Sequence, residues 1–551
     1  MTYNFLVRSI YYVLKERGTK MASSGEFDYS LALKNSIIFY DANKCGKDAG
    51  TNNEFSWRSA CHTSDGSDKG LDLTGGYHDA GDHVKFGLNQ GYAAAVLGWA
   101  LYEFKDTFNA TRNTEKLLQQ LKHFTDYFLK SHSSSDIFYY QVGDGDVDHS
   151  YWGAPENQTN ARTSMFFADA THPASDILGE TSAALSLMYL NYKDKDAEYA
   201  KQCLQTAKEL YQLGKANQGK GNGQSYYTSS DYADDLAWAA VWLYVAVNDA
   251  QYLSDAKKFI VLNSTSLQNN WTMTWDSMKL PVILKLGDIT GEQTYKDAME
   301  YNFNYWKNTL KTTSGGLKFL SEWGVLRYAA AESMLALVYY KHTKDETLKT
   351  LAKSQIDYIL GNNPANISYM IGFGDNWPKH PHHRAANGYT YANNDYLNVA
   401  KNLLLGALVG GPDANDNFTD DVTKYQYTEV AIDYNAGLVG ALAGMVKVSG
   451  STSTVSVEVT APTEGQSFEY PSKASPITIS ADASTTSGTI SKVAFYANGT
   501  KIGESTASPY SITWYPTGYA QSATGIDSYA ITASAIDSNG TSAISAAVNI
   551  K

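Results

Sequence analysis

Twelve stretches of this chain carry apolar residues at helical spacing, and the links between them come in two very different lengths. That alternation constrains the fold more than any single motif. The stretches lie near residues 28–45, 90–104, 114–130, 174–192, 196–213, 234–247, 250–262, 276–286, 293–308, 324–341, 345–360 and 429–447. Links from an even-numbered stretch to the next odd one are short, as in Lys193-Asp-Lys195, Asn248-Asp249 and His342-Thr-Lys344. Links from odd to even run from about a dozen to nearly seventy residues. A short link makes its two helices antiparallel neighbours. In an up-down array every long link therefore leaves at the same end. The pattern predicts a helical toroid with one plain face and one elaborated face, where function concentrates.

Near residue 450 the helical pattern gives way to a Ser/Thr-rich, alternating one. Val455-Ser-Val-Glu-Val459 alternates, and Asn498-Gly499 and Asn539-Gly540 each stand between strand-like runs as hairpin turns. Residues 453–551 therefore read as an immunoglobulin-like β-sandwich, residues 26–449 as the helical domain, and residues 1–25 as a flexible extension. In the sandwich, Trp514, Tyr515 and Tyr519 suit a sugar-binding strip, but core packing or a docking surface is the favoured reading.

A net charge of −13 argues against nucleic acid or an anionic membrane as partner. The apolar run at residues 6–14 is broken by Arg8 and too short to span a bilayer; it lacks a clear small-residue cleavage site, and no longer apolar run follows. Of three cysteines, Cys45 and Cys61 are near enough to pair, but Cys45, Cys61 and Cys203 lack zinc-site spacing.

The polar clusters fall almost wholly in the long links. The first contains Asp79 and Asp82 in a glycine-framed loop, where close carboxylates shift one another's pKa and suit activation of water; a polar turn or a calcium loop is the alternative. In the second, Asp144, Asp146 and Asp148 imitate an EF-hand, but His149 and Pro155 occupy its glycine and glutamate positions, so a cleft wall offering His149 and Trp152 fits better. The third ends in Tyr226-Tyr-Thr-Ser-Ser-Asp-Tyr-Ala-Asp-Asp235, whose Asp231, Asp234 and Asp235 serve equally as calcium ligands or helix caps. Trp271 and Trp275 in the fourth are either core or sugar platforms. In the fifth, Trp323 and Arg327 share a helical face. The sixth holds His380-Pro-His-His-Arg384, too tightly packed for a usual zinc site, and Glu429, which opens the last helix. Carboxylates from distant loops, with Trp, His and Arg between them and no cofactor motif, describe glycoside hydrolysis.

These residues resemble glycoside hydrolase family 9, inverting cellulases on an (α/α)6 barrel. The resemblance rests on Leu73-Thr-Gly-Gly-Tyr-His-Asp-Ala-Gly-Asp82, Gln141-Val-Gly-Asp-Gly145, Gly361-Asn-Asn-Pro364, His380-Pro-His-His-Arg384 and Glu429-Val-Ala-Ile-Asp-Tyr-Asn435. It implies Asp82 as general base, Asp79 as its partner in holding the water, and Glu429 as general acid. It further implies His149, Trp152, Tyr226, Trp271, Trp323, Arg327, His382, Arg384 and Tyr434 along the substrate cleft. A structural calcium ion would use Ser230, Asp231, Asp234, Asp235 and Asp276. The chain departs from the family in Asp231 for glycine, Asp235 for glutamate, Ser229 for a tryptophan platform and Thr428 for asparagine.

The resemblance implies a secreted, monomeric endo-1,4-β-glucanase acting on cellulose and related β-glucans, with no organic cofactor. An enzyme acting chiefly on mixed-linkage glucan or xyloglucan is the alternative, followed by a carbohydrate-binding protein without catalysis. The C-terminal module does not look like the cellulose-binding module of processive members, which favours endo action.

Overall fold

The structure is a computed structural model that describes residues 27–261, 268–449, 455–468, 476–485, 489–516, 529–537 and 542–551. The N-terminal extension, the Asn539-Gly540 turn and Tyr519 lie outside the described residues. Residues 32–449 form one compact unit.

That unit is built on twelve helices: α1 Tyr29–Ile38, α2 Gly87–Glu103, α3 Thr114–Ser131, α4 Ser175–Tyr192, α5 Ala197–Ala216, α6 Ala233–Val247, α7 Ala250–Phe259, α8 Lys279–Thr290, α9 Gln293–Asn308, α10 Val325–Thr343, α11 Glu346–Leu360 and α12 Ile432–Ser449. The even-numbered helices are apolar nearly all round and almost wholly buried. Helices α3, α5, α7, α9 and α11 instead carry an apolar stripe facing inward and charge outward. An all-round apolar helix is stable only where protein covers every side, so the even helices form the inner ring and the amphipathic ones the outer. Packing of α2 on α4, α4 on α6, α6 on α8, α10 on α12 and α12 on α2 follows that order. Asp288 of α8 and His342 of α10, 3.4 Å apart, close the remaining step. The result is an (α/α)6 barrel.

The plain end is sealed by an ionic and aromatic plug. Glu103 at the last turn of α2 accepts from Lys285 of α8 (3.0 Å) and Lys341 of α10 (2.5 Å). The indole of Trp99 also donates to it (3.1 Å). Trp99 packs edge-on against Trp238 of α6, which packs in turn against Trp242.

At the other end the long links carry structure invisible to helical periodicity. Strand β3 (Ile137–Val142) pairs with β1 (Lys85–Phe86), β2 (His132–Ser134) and β4 (Ser164–Ala168). These strands join the first and second long links into one wall.

The C-terminal unit has a sheet of order β5-β6-β9 (Val455–Ala461, Ile477–Thr485, Tyr510–Trp514). A second sheet comprises β7 (Ile490–Ala497), β8 (Thr500–Ser505), β10 (Tyr529–Asp537), β11 (Ser542–Ile544) and β12 (Val548–Ile550). Asn498 and Gly499 both take positive φ, +48° and +78°, between Ala497 and Thr500, which is the two-residue hairpin that Asn-Gly signals. Ile479, Val493, Phe495 and Ile531 fill the core, with Trp514 packed against it and edge-on to Tyr529, so packing is the use this tryptophan finds. Tyr515 is exposed.

Two lysines hold the Glu103 carboxyl down at about 2, against the opposing effect of burial. A carboxyl lowered below its ordinary value of about 4.3 stabilises the fold at neutral pH, and that contribution is lost as pH falls from about 4 towards 2. Glu103→Gln strands Lys285 in the interior and is expected to cost about 3 kcal/mol in denaturant unfolding at pH 7, with a smaller difference from wild type at pH 3.

Candidate active site

The Asp79–Asp82 loop is braced from both sides by backbone. The Asn43 side chain donates to the carbonyls of His78 (3.1 Å) and Ala80 (2.8 Å). Arg384 N–H donates to Gly81 O, and Ile432 N–H, at the start of α12, donates to Asp79 O, both at 3.0 Å. Residue 81 must be glycine because a Cβ there would sit 2.0 Å from the carbonyl oxygen of His382. The first and sixth links thus meet backbone to backbone.

Both aspartates are buried, with different partners. Asp79 accepts from Asn89 Nδ2 (2.6 Å) and from the Tyr227 hydroxyl (2.5 Å). Burial, reinforced by the neighbouring Asp82 charge, lifts its carboxyl well above the usual range although both donors oppose this. Asp82 accepts from the N–H groups of Ala80 (3.2 Å) and Val84 (3.4 Å) and lies 3.4 Å from His149 Nε2. Burial therefore favours the protonated form of Asp79, while Asp82 rests against backbone N–H groups and His149.

Glu429 does not open the last helix. It lies in extended backbone (φ −60°, ψ 144°) three residues before α12, pinned by a parallel bridge to His382 and by Gly410 N–H on its carbonyl (2.9 Å). The strand-like segment forms because His382 and Gly410 offer it backbone partners from either side, which local sequence cannot reveal. Its carboxyl accepts from Trp323 Nε1 (2.9 Å) and the Tyr434 hydroxyl (3.2 Å). Loss of water contact lifts this carboxyl to about 7, aided by the charges of Asp433 and Asp82 and opposed by Trp323 and Arg327.

Of the cleft residues the sequence nominated, His149, Tyr226, Trp271 and Trp323 present exposed or half-exposed side chains. Tyr226 packs its ring against His149 and donates to Asp146. The tyrosine that meets the aspartate pair is its neighbour, Tyr227. Three other nominees are turned inward. Trp152 is only 5% exposed and donates to Asn387 Oδ1 (2.9 Å). Arg384 is buried in an ion pair with Asp148 (2.6 Å), because the buried carboxylate needs a full counter-charge. Tyr434 is buried, with only its hydroxyl at Glu429. Arg327 pairs with Asp433 (3.2 Å) and the Tyr328 hydroxyl (2.8 Å), so it sets the field around Glu429. His380, His382 and His383 turn to Asp420, Val422 O and Asn43, three separate directions that exclude a shared metal. Asp144 caps a short helix, as the failed EF-hand pattern allows.

Two other groups bear on metals. Asp234 Oδ1 and Asp235 Oδ1 are buried without a hydrogen-bond partner; burial raises both carboxyls, Asp234 to about 6 with the Asp231 charge adding to it, and Asp235 with the charges of Asp234 and Glu180 adding to it. Orphaned acidic oxygens are what a cation would satisfy. Asp276 stands beside them with its Oδ1 on Ser230 N (2.5 Å). The Asp231 carboxylate is used otherwise, on the N–H groups of Tyr232 and Ala233 and on Lys279 (3.3 Å).

The second group brings together residues whose spacing along the chain signals no zinc site. Cys45, Cys61, His62 and His78 converge so that one ligand atom of each lies within 4.8 Å of the others. Cys45 and Cys61 are free thiols. His62 Nδ1 and His78 Nε2 stand 3.0 Å apart. His62 Nε2 lies 2.9 Å from Gln158 Oε1, which fixes the ring proton there and leaves Nδ1 open to a metal.

A cleft that lifts one carboxyl towards neutrality and holds an aspartate pair on a separate rigid loop is the equipment of a glycoside hydrolase. Residues 29–442 match the profile of glycosyl hydrolase family 9, and the chain belongs to that family. Residues 456–546 match a bacterial Ig domain. The chain is 39% identical over 457 residues to Endoglucanase A of Bacillus pumilus, covering 79% of this chain and 69% of that one. Among solved structures it resembles the cellulase Cel9M of C. cellulolyticum in complex with cellobiose, at 67% identity and a TM-score of 0.76, over 77% of this chain and all of that one. It also resembles the endoglucanase CelQ of Clostridium thermocellum complexed with cellotriose, at 32% identity and a TM-score of 0.70, over 86% of this chain and 80% of that one.

Trp323→Phe keeps a ring in the cleft but removes the donor that favours ionised Glu429. The carboxyl then holds its proton to higher pH. The basic limb of the kcat/KM profile is expected to move upward; an unmoved limb would assign it to another group.

Proposed function

We propose that this enzyme hydrolyses internal β-1,4-glucosidic bonds of cellulose and related β-glucans with inversion at the anomeric carbon. The observation that carries this reading is Glu429, a carboxyl lifted to about 7 and braced to the loop that bears the aspartate pair. Glu429 donates its proton to the glycosidic oxygen as the bond from C1 to that oxygen breaks. Asp82 accepts a proton from the water that attacks the opposite face of C1. Asp79, fixed by Tyr227 and Asn89, stands beside Asp82 as a neutral hydrogen-bonding group for that water. Two adjacent carboxylates would disfavour one another's ionised form, which a neutral Asp79 avoids. Inversion needs room for water, which sets the acid–base separation at about 6.5–9.5 Å.

The metals follow from the same loops. Asp234, Asp235 and Asp276 would hold Ca2+ at the start of α6, where hard oxygen donors suit it. Cys45, Cys61, His62 and His78 would hold Zn2+ through two sulfurs and two nitrogens, a donor set that favours tetrahedral zinc. Neither ion enters the reaction. The calcium would tie the fourth long link to α6, and the zinc would close the first long link on itself.

Glu429→Gln is expected to lower kcat on carboxymethylcellulose by about 10²–10⁴-fold while retaining cellulose binding. Proton NMR of the wild-type reaction should show the α-anomer as first product, and a β-anomer formed first would reject inversion. Metal analysis of purified protein should give one zinc that Cys61→Ser removes and a calcium that the same variant keeps. Calcium at a hundredfold excess over Kd should stabilise the fold by about 2.7 kcal/mol.

A further inference from the structure

Trp152 is nominated by its sequence context as a ring that substrate meets, yet it is almost wholly covered. What covers it is informative. His382 packs edge-on at 5.1 Å between ring centres, while Tyr396 and Tyr391 lean on it at 5.3 and 5.7 Å. The two tyrosines also pack edge to face at 5.1 Å. Tyr396 is half-buried, whereas Tyr391 is 47% exposed.

The segment that brings them there is shaped for the purpose. Asn393 and Asn394 both take left-handed backbone, φ +56° and +58°, curling the chain so that residues 391 and 396 converge on one indole. Asn387, fully buried, fastens the arrangement from beneath, accepting from Trp152 Nε1 and donating from Nδ2 to Tyr396 O, both at 2.9 Å.

This aromatic group is linked ring to ring with the residues around Glu429. From Glu429 the rings run through its hydrogen-bond donor Trp323 to Tyr425 (5.1 Å), His382 (5.9 Å), Trp152 (5.1 Å) and Tyr391 (5.7 Å). Trp323 and Tyr425 are exposed, 44% and 39%, as Tyr391 is. An exposed planar ring held from behind by other rings loses little freedom on binding, and its apolar face matches the apolar face of a pyranose.

We propose that Tyr391 is an outer platform of the substrate cleft, where a glucosyl unit of a β-linked glucan chain stacks at a distance from the bond being cut. Trp152 is its support and makes no contact with sugar. The proposal rests on the reading of the cleft as a β-glucan site. It predicts an effect that depends on chain length, because only a long substrate reaches both Glu429 and Tyr391.

The test compares full-length wild type, Tyr391→Ala and Tyr391→Phe on cellotriose and cellohexaose. Tyr391→Ala should lower kcat/KM on cellohexaose by about three- to tenfold, chiefly through KM, and leave cellotriose unchanged. Tyr391→Phe should match wild type. Unchanged cellohexaose kinetics overturn the proposal. So does an equal loss on both substrates, which would mark Tyr391 as structural support. Calorimetric titration of cellohexaose into Glu429→Gln protein, with and without Tyr391→Ala, separates the two readings. Weaker binding in the double variant upholds the platform even if wild type proves unable to hydrolyse the sugar, and equal binding removes it.

Discussion

The meeting of two backbones at Gly81 and His382 is the contact on which the site depends. One loop comes from the first long link and the other from the sixth, some three hundred residues later. A methyl group at position 81 would collide with the His382 carbonyl, so only glycine lets them touch. Once they touch, Arg384 N–H bonds to Gly81 O, His382 pairs with the Glu429 segment, and Ile432 N–H bonds to Asp79 O. Each of these bonds fixes an acidic residue relative to another without using its carboxylate. The side chains remain available for chemistry because backbone groups carry the bracing.

Withdrawal from water then sorts the carboxyls by partner. Glu103, Asp79, Asp234 and Glu429 are all desolvated, yet they end in different states. Two lysines hold Glu103 ionised as a structural plug. Asp79, with only neutral donors against burial and the Asp82 charge, is raised. Asp234 and its neighbour Asp235 have oxygens with no donor, the arrangement a cation would relieve. Glu429, with one indole donor and Arg327 against the charges of Asp433 and Asp82, sits between these extremes. Burial is common to all four, and the partner decides the outcome.

Much of this was legible in the chain. Link lengths gave the barrel and its working face, since a short connection leaves neighbouring helices no other arrangement. Glycine-framed Asp79 and Asp82 marked a shaped polar loop, which a turn or a calcium loop would also give. Asn498-Gly499 announced its hairpin. What the chain did not show shares one cause. Residues in contact across the fold cannot be recognised from their local neighbours. Tyr227 and Tyr226 are equivalent as letters, and only packing turns Tyr227 to Asp79. Trp152 and Arg384 appear as polar-cleft residues until Asn387 and Asp148 claim them. Cys45 and His78 are 33 positions apart, with spacing that suggested no site, and the first long link folds them together.

By itself the sequence determined the architecture: a helical barrel with one elaborated end, a separate β-module, and the loops in which the acids lie. It could do so because helix periodicity, link length and turn chemistry are local properties. Tertiary structure alone decided which carboxyl keeps its proton, which aromatic rings face the cleft, and which thiols and imidazoles share a centre. Those outcomes depend on distance and solvent exclusion between residues far apart in the chain, quantities that have no value until the loops have met.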